Sequence, residues 1–155
     1  MSGKLETKTT TIRDVEVSVV QFDCWRQADL LEKLGKMAAP ALRTLRGSTE
    51  LGADEIGPFL GELFGGLETR ERQQLQLEIL AGTGVTVQTP TGPKFIELTS
   101  KERIVEACGS DLVLFGSLIA YAMEVNLGGF FAELMGKART LLSAAKPPVK
   151  LTQAG

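Results

Sequence analysis

Apolar and polar positions alternate with period two in the early part of the chain. Between residues 9 and 22, Val15, Val17 and Val19 are separated by Glu16 and Ser18, and Arg13-Asp14 divides two β-prone runs rich in Thr and Val. Alternation of this kind sends successive side chains to opposite faces of a strand and predicts an N-terminal β-hairpin. The period then changes. Ala28, Leu31 and Leu34, with Leu30 and Met37, recur at helical spacing, and Asp23 stands where it can cap a helix that ends near Lys36 or at Pro40. Residues 41–46 read as one or two further turns before a polar loop. Asp54 and Glu55 fall in the first turn of the next helix, where the dipole favours negative charge.

Residues 70–80 form an amphipathic helix with Leu75, Ile79 and Leu80 inward, stopped by Gly82 and Gly84. Residues 85–87 and 95–98 alternate on either side of Thr89-Pro90-Thr91-Gly92-Pro93, which predicts a second short hairpin. Ser100 opens a short helix over 101–107. Ser110 is placed to cap a last helical region, from Asp111 to about Ala145 with a break at Gly128-Gly129, ended by Pro147 and Pro148. The predicted fold class is α+β, mainly α-helical: an N-terminal β-hairpin, a helical bundle with a second short β-hairpin, and a long kinked apolar C-terminal helix. One helix-rich domain spans 1–146, with a flexible tail over 147–155.

Composition narrows the function. Apolar residues make up 43% of the 155 and charged ones 23%, which excludes disorder and leaves apolar surface to spare for a partner. The net charge of −2 comes from 17 basic and 19 acidic residues, and the basic ones form no stripe, so the footprint of a nucleic-acid binder is missing. The N-terminus has no hydrophobic signal region. The uncharged stretch 112–123 falls short of the ~20 residues of a membrane-spanning helix and reads as a buried spine. Cys24 and Cys108 belong to no CxxC pair and read as free thiols.

Candidate chemistry is sparse. The chain has no histidine, which removes the commonest general base and zinc ligand. Asp54, Glu55, Glu62, Glu68 and Glu71 are the carboxylates that could be proposed for catalysis, but all lie in charged or loop-like contexts. Gly82-Thr83-Gly84 follows a helix and precedes a strand, the reverse of a phosphate-binding loop, and reads as a helix C-cap. Cys24 lies at a helix start with no base near it in sequence, and Trp25 is read as packing the hairpin onto the first helix. Gly57, Gly61 and Gly65 fall four apart, which fits either a tight docking groove or an irregular helix.

The segment 121–134 is the least ordinary. Phe130 and Phe131 are adjacent, so on a helix they point ~100° apart and cannot share one narrow seam. Asn126 precedes a Gly-Gly pair, where its amide can satisfy backbone groups opened by a kink. These residues are either core beside a broken helix or, with Leu127 and Leu134, part of a recognition surface.

At EVNLGGFF, residues 124–131, the chain resembles the tail assembly chaperones of long-tailed bacteriophages. Glu124, Val125, Asn126, Gly128, Phe130 and Phe131 match the family's late signature, whereas Leu127 replaces an aromatic and Gly129 an acidic residue. The order of elements over residues 8–142 also fits. The resemblance implies a non-catalytic protein without cofactor or metal that coats the tape measure protein in the host bacterial cytoplasm and is absent from the mature virion. Its implied partners are the tape measure protein, a second copy of itself and the tail tube protein, but neither nucleic acid nor membrane. Asn126, Leu127, Phe130, Phe131 and Leu134 are the expected protein-binding residues. Rival readings are a small phage or bacterial regulator that binds a host protein and a tail completion or connector protein.

Overall fold

The computed structural model describes residues 5–35 and 52–129. Strands β1 (Thr7–Ile12) and β2 (Val15–Val20) form the expected hairpin. Its two-residue turn places Arg13 at φ 48° and Asp14 at φ 65°. Positive φ at both central residues matches the right-handed twist of the flanking strands. Strands β3 (Thr83–Thr89) and β4 (Gly92–Glu97) form the second hairpin. The two hairpins are not separate, however. Val17 pairs with Val85, and Val85 with Ile96, so one antiparallel sheet runs β1-β2-β3-β4.

Period two gives this sheet a dry and a wet face. Ile12, Val17, Val19, Val85, Ile96 and Leu98 are buried on one side, and Thr9, Thr11, Glu16, Phe95 and Glu97 are exposed on the other. Gly82-Thr83-Gly84 is therefore not a helix C-cap. The helix before it closes at Leu80, and Gly84 lies within β3, where an added Cβ would stand 2.3 Å from Cζ of Phe95. The Phe95 ring covers that gap in the wet face.

The described helices are α1 (Cys24–Leu34), α2 (Ala53–Phe64), α3 (Thr69–Ile79), α4 (Lys101–Cys108) and α5 (Leu112–Met123). Asp23 caps α1 by accepting from the Arg26 N–H at 2.9 Å, and Ser100 caps α4 by accepting from the Arg103 N–H at 3.2 Å. The first helix stops earlier than its apolar pattern suggests. Gly35 takes φ 56° and donates its N–H to the Leu31 carbonyl, a left-handed cap open to glycine at little cost. Trp25 does not pack the hairpin onto α1; it is 83% exposed, because the first turn of α1 points it to solvent. Residues 41–46, the tail and the helix beyond Gly129 lie outside the described residues.

Helix α5 is the centre of the molecule. Leu114 and every residue from Gly116 to Met123 are buried, and full burial of a leucine or isoleucine contributes about 1.5–3 kcal/mol. It packs on α2, α3 and α4 and reaches β1. Close approach to α2 depends on Gly116, where an added Cβ would stand 2.5 Å from Cδ1 of Ile56. The cap is Asp111, not Ser110: its carboxylate accepts from the Leu114 N–H at 3.0 Å and from Arg13 Nε at 2.9 Å. The hairpin tip is thereby tied to the start of α5. Among the described residues no single helix is long and apolar enough to cross a membrane.

Candidate protein-binding surface

Helix α5 does not break at Gly128-Gly129. It passes into a π-turn over Glu124–Gly128, and Gly129 is helical again at φ −61° and ψ −43°. Widening by one residue at such a bulge leaves backbone groups to be satisfied from elsewhere. Asn126 does this. Its Oδ1 accepts from the Phe22 N–H at 2.6 Å, and its Nδ2 donates to the Ala122 carbonyl at 2.9 Å. Those two partners admit only one orientation of the amide. Gln21 adds a bond from Nε2 to the Val125 carbonyl at 3.2 Å. The π-turn is thus stitched to the chain between β2 and α1.

Of the residues expected to bind protein, Asn126 and Leu127 are buried at 5% and 3% exposure. Both serve the interior here. Phe130, Phe131 and Leu134 lie outside the described residues. Beside the π-turn a cleft of about 480 Å³ is lined by Glu6, Lys8, Gln21, Tyr121 and Glu124. Burial pushes the Glu124 carboxyl above its ordinary range. Burial, and then the Glu124 charge, raise the Tyr121 phenol.

A second surface is more apolar. Between α2, α3 and the first turns of α5 runs a groove of about 380 Å³, lined by Leu60, Gly61, Gly65, Arg72, Leu112 and Phe115 among others. It adjoins a hollow of about 190 Å³ that shares Leu112 and Phe115 and extends to Val105 and Cys108. Leu112 of α5 is 59% and Val105 of α4 64% exposed, and Phe115 is half-buried, so α5 is a continuous buried spine only from Gly116 to Met123. Gly57 and Gly61 lie within α2, which also contains Pro58, and Gly65 is its C-cap; Gly57 and Gly61 have nothing within 4 Å of an added Cβ. The close approach made inside the fold uses Gly116 instead.

Burial, then the Asp111 charge, push the Cys108 thiol up to about 11, which keeps it protonated near neutral pH. Cys24 is exposed, and both cysteines are free. Among the described residues no group of three or more acidic or cysteine side chains is placed to hold a metal. Sequence reasoning missed the groove because Leu112 and Val105 are apolar residues in helices, which reads as core; the glycine row was the one visible signal.

The described residues form an α+β domain that carries an open apolar groove. Residues 13–140 match the family of phage tail assembly chaperone proteins, TAC, and the chain belongs to that family. Its role is therefore that of a chaperone in bacteriophage tail assembly. No match was found among curated proteins or solved structures.

Proposed function

We propose that this chain binds the tape measure protein during tail morphogenesis and keeps it soluble. Membership of the tail assembly chaperone family over residues 13–140 carries the reading. The open apolar groove supports it physically, because holding long amphipathic helices in solution calls for helix-in-groove docking and no catalytic side chain. Many weakly bound copies along one client would act through avidity. In this reading the protein works in the host cytoplasm, self-associates, meets the tail tube protein at most transiently, and is absent from the finished virion. Phe130, Phe131 and Leu134 contact the client or a second copy. Asn126 and Leu127 act from inside the fold by setting where the chain leaves the π-turn.

Co-expression with the tape measure protein of the same phage tests this. The expected result is a client that is soluble only with this chain, with solubility reduced by the double substitution Phe130→Ala and Phe131→Ala. A client equally soluble without the chain would sink the reading.

A further inference from the structure

We infer that the groove between α2, α3 and the start of α5 receives one amphipathic helix of the client, and that this helix carries a carboxylate that meets Arg72; the inference rests on the function proposed above. Three observations carry it. The groove floor is apolar and open, with Leu112 59% exposed and Leu60 and Phe115 half-buried. One wall is the bare edge of α2 at Gly61, where nothing lies within 4 Å of an added Cβ and a partner backbone can come close.

The third observation concerns charge. Arg72 lines the groove half-buried and forms no ion pair among the described residues, although Glu68 and Glu71 share its helix. Lys33, Lys94 and Arg13 are paired with carboxylates, and although Arg26, Arg70 and Lys101 also form no ion pair among the described residues, Arg72 is the one of these cations that lines the groove. A guanidinium fork beside apolar surface is matched best by a carboxylate that accepts two parallel hydrogen bonds. A second copy is the poorer occupant. A two-fold contact centred on this groove would bring its two Arg72 side chains towards each other.

The test is co-expression of the tape measure protein with wild type, Gly61→Leu and Arg72→Glu, together with thermal melts and the solution mass of each purified variant. Gly61→Leu adds bulk to the groove from a position where a Cβ meets nothing within 4 Å, and Arg72→Glu reverses the charge at a half-buried side chain. Both variants are expected to melt cooperatively, keep the wild-type mass and lower the yield of soluble client about tenfold, the scale of one well-placed charged contact. A client with one groove-facing Asp or Glu changed to Arg is expected to be recovered by Arg72→Glu and not by wild type. If both folded variants hold the client as well as wild type does, the groove assignment is wrong while the chaperone function stands. If wild type itself fails to hold the client, both fall. A change in the solution mass of Gly61→Leu without client would make the occupant a second copy and overturn the inference. Should Gly61→Leu not fold, Arg72→Glu and its charge-swapped client decide alone.

Discussion

The Asn126 amide is committed in both directions, accepting from the Phe22 N–H and donating to the Ala122 carbonyl in a position only 5% exposed. Asn126→Leu keeps the branched shape with somewhat more bulk and strands both backbone groups. Each buried group left without a partner costs about 1–3 kcal/mol, so the variant is expected to lose roughly 2–6 kcal/mol in urea denaturation. An unchanged midpoint would show that the stitch contributes nothing. Glu124, two residues earlier, works against stability near neutral pH. Burial raises its folded pKa, so its carboxyl favours the folded state most below the unfolded value of about 4.3, and that contribution is lost as pH rises through the folded value. Asp111 has the opposite sign. The Leu114 N–H, followed by the Arg13 guanidinium, depresses its pKa, so its stabilisation is present above the unfolded value and lost as pH falls through the folded one. Glu124→Gln is therefore expected to be more stable than wild type at pH 7, with the advantage shrinking towards about pH 3, read from denaturation midpoints across that range. An advantage that is absent at pH 7 would mean the carboxylate finds compensation.

At the scale of elements, glycines with open and crowded surroundings separate propensity from packing. Gly61 sits inside α2 with free space, and Gly61→Ala is expected to gain about 1 kcal/mol from helix propensity. Gly82 precedes β3, where an added Cβ would stand 2.6 Å from the Val20 carbonyl, and its own carbonyl accepts from the Val20 N–H at 2.9 Å. Gly82→Ala must push β2 and β3 apart and is expected to lose about 1–3 kcal/mol, the cost of overpacking. Thermal melts of the pair should move in opposite directions, and a shift of the same sign in both would refute the distinction. These elements were legible because their signals are local. Period two marked both hairpins, and Asp23 and Ser100 marked helix starts where their side chains do cap. Pairing of β2 with β3 was not legible, because Val17 and Val85 are 68 residues apart in sequence, with α1, α2 and α3 among the described residues between them. The π-turn was hidden for the same reason: its register depends on Phe22, which is 104 residues from Asn126. Trp25 misled because a lone aromatic at a helix start has no periodic partner to say which way it faces.

Across the whole molecule the N-terminal hairpin holds the fold together rather than decorating it. It supplies Ile12, Val17 and Val19 to the buried face, covers the edge of β3, sends Arg13 to the cap of α5, and leads to the Phe22 N–H that Asn126 needs. Removing residues 1–22 would leave β3 and β4 as a two-stranded ribbon, which is marginal in water, with β3 a bare edge beside exposed valine. No residue of the hairpin lines the groove on α2, α3 and α5, so the hairpin should bear on the proposed client site only through folding and through the Arg13–Asp111 tie at the start of α5. A chain of residues 23–155 is accordingly expected to aggregate or to melt without a cooperative transition, followed by circular dichroism and size-exclusion chromatography. A sharp transition with a wild-type denaturant slope would show that the helices fold alone and that the sheet is an accessory. In that case the groove would survive loss of the hairpin, and under the function proposed above the truncated chain would still hold the tape measure protein in solution.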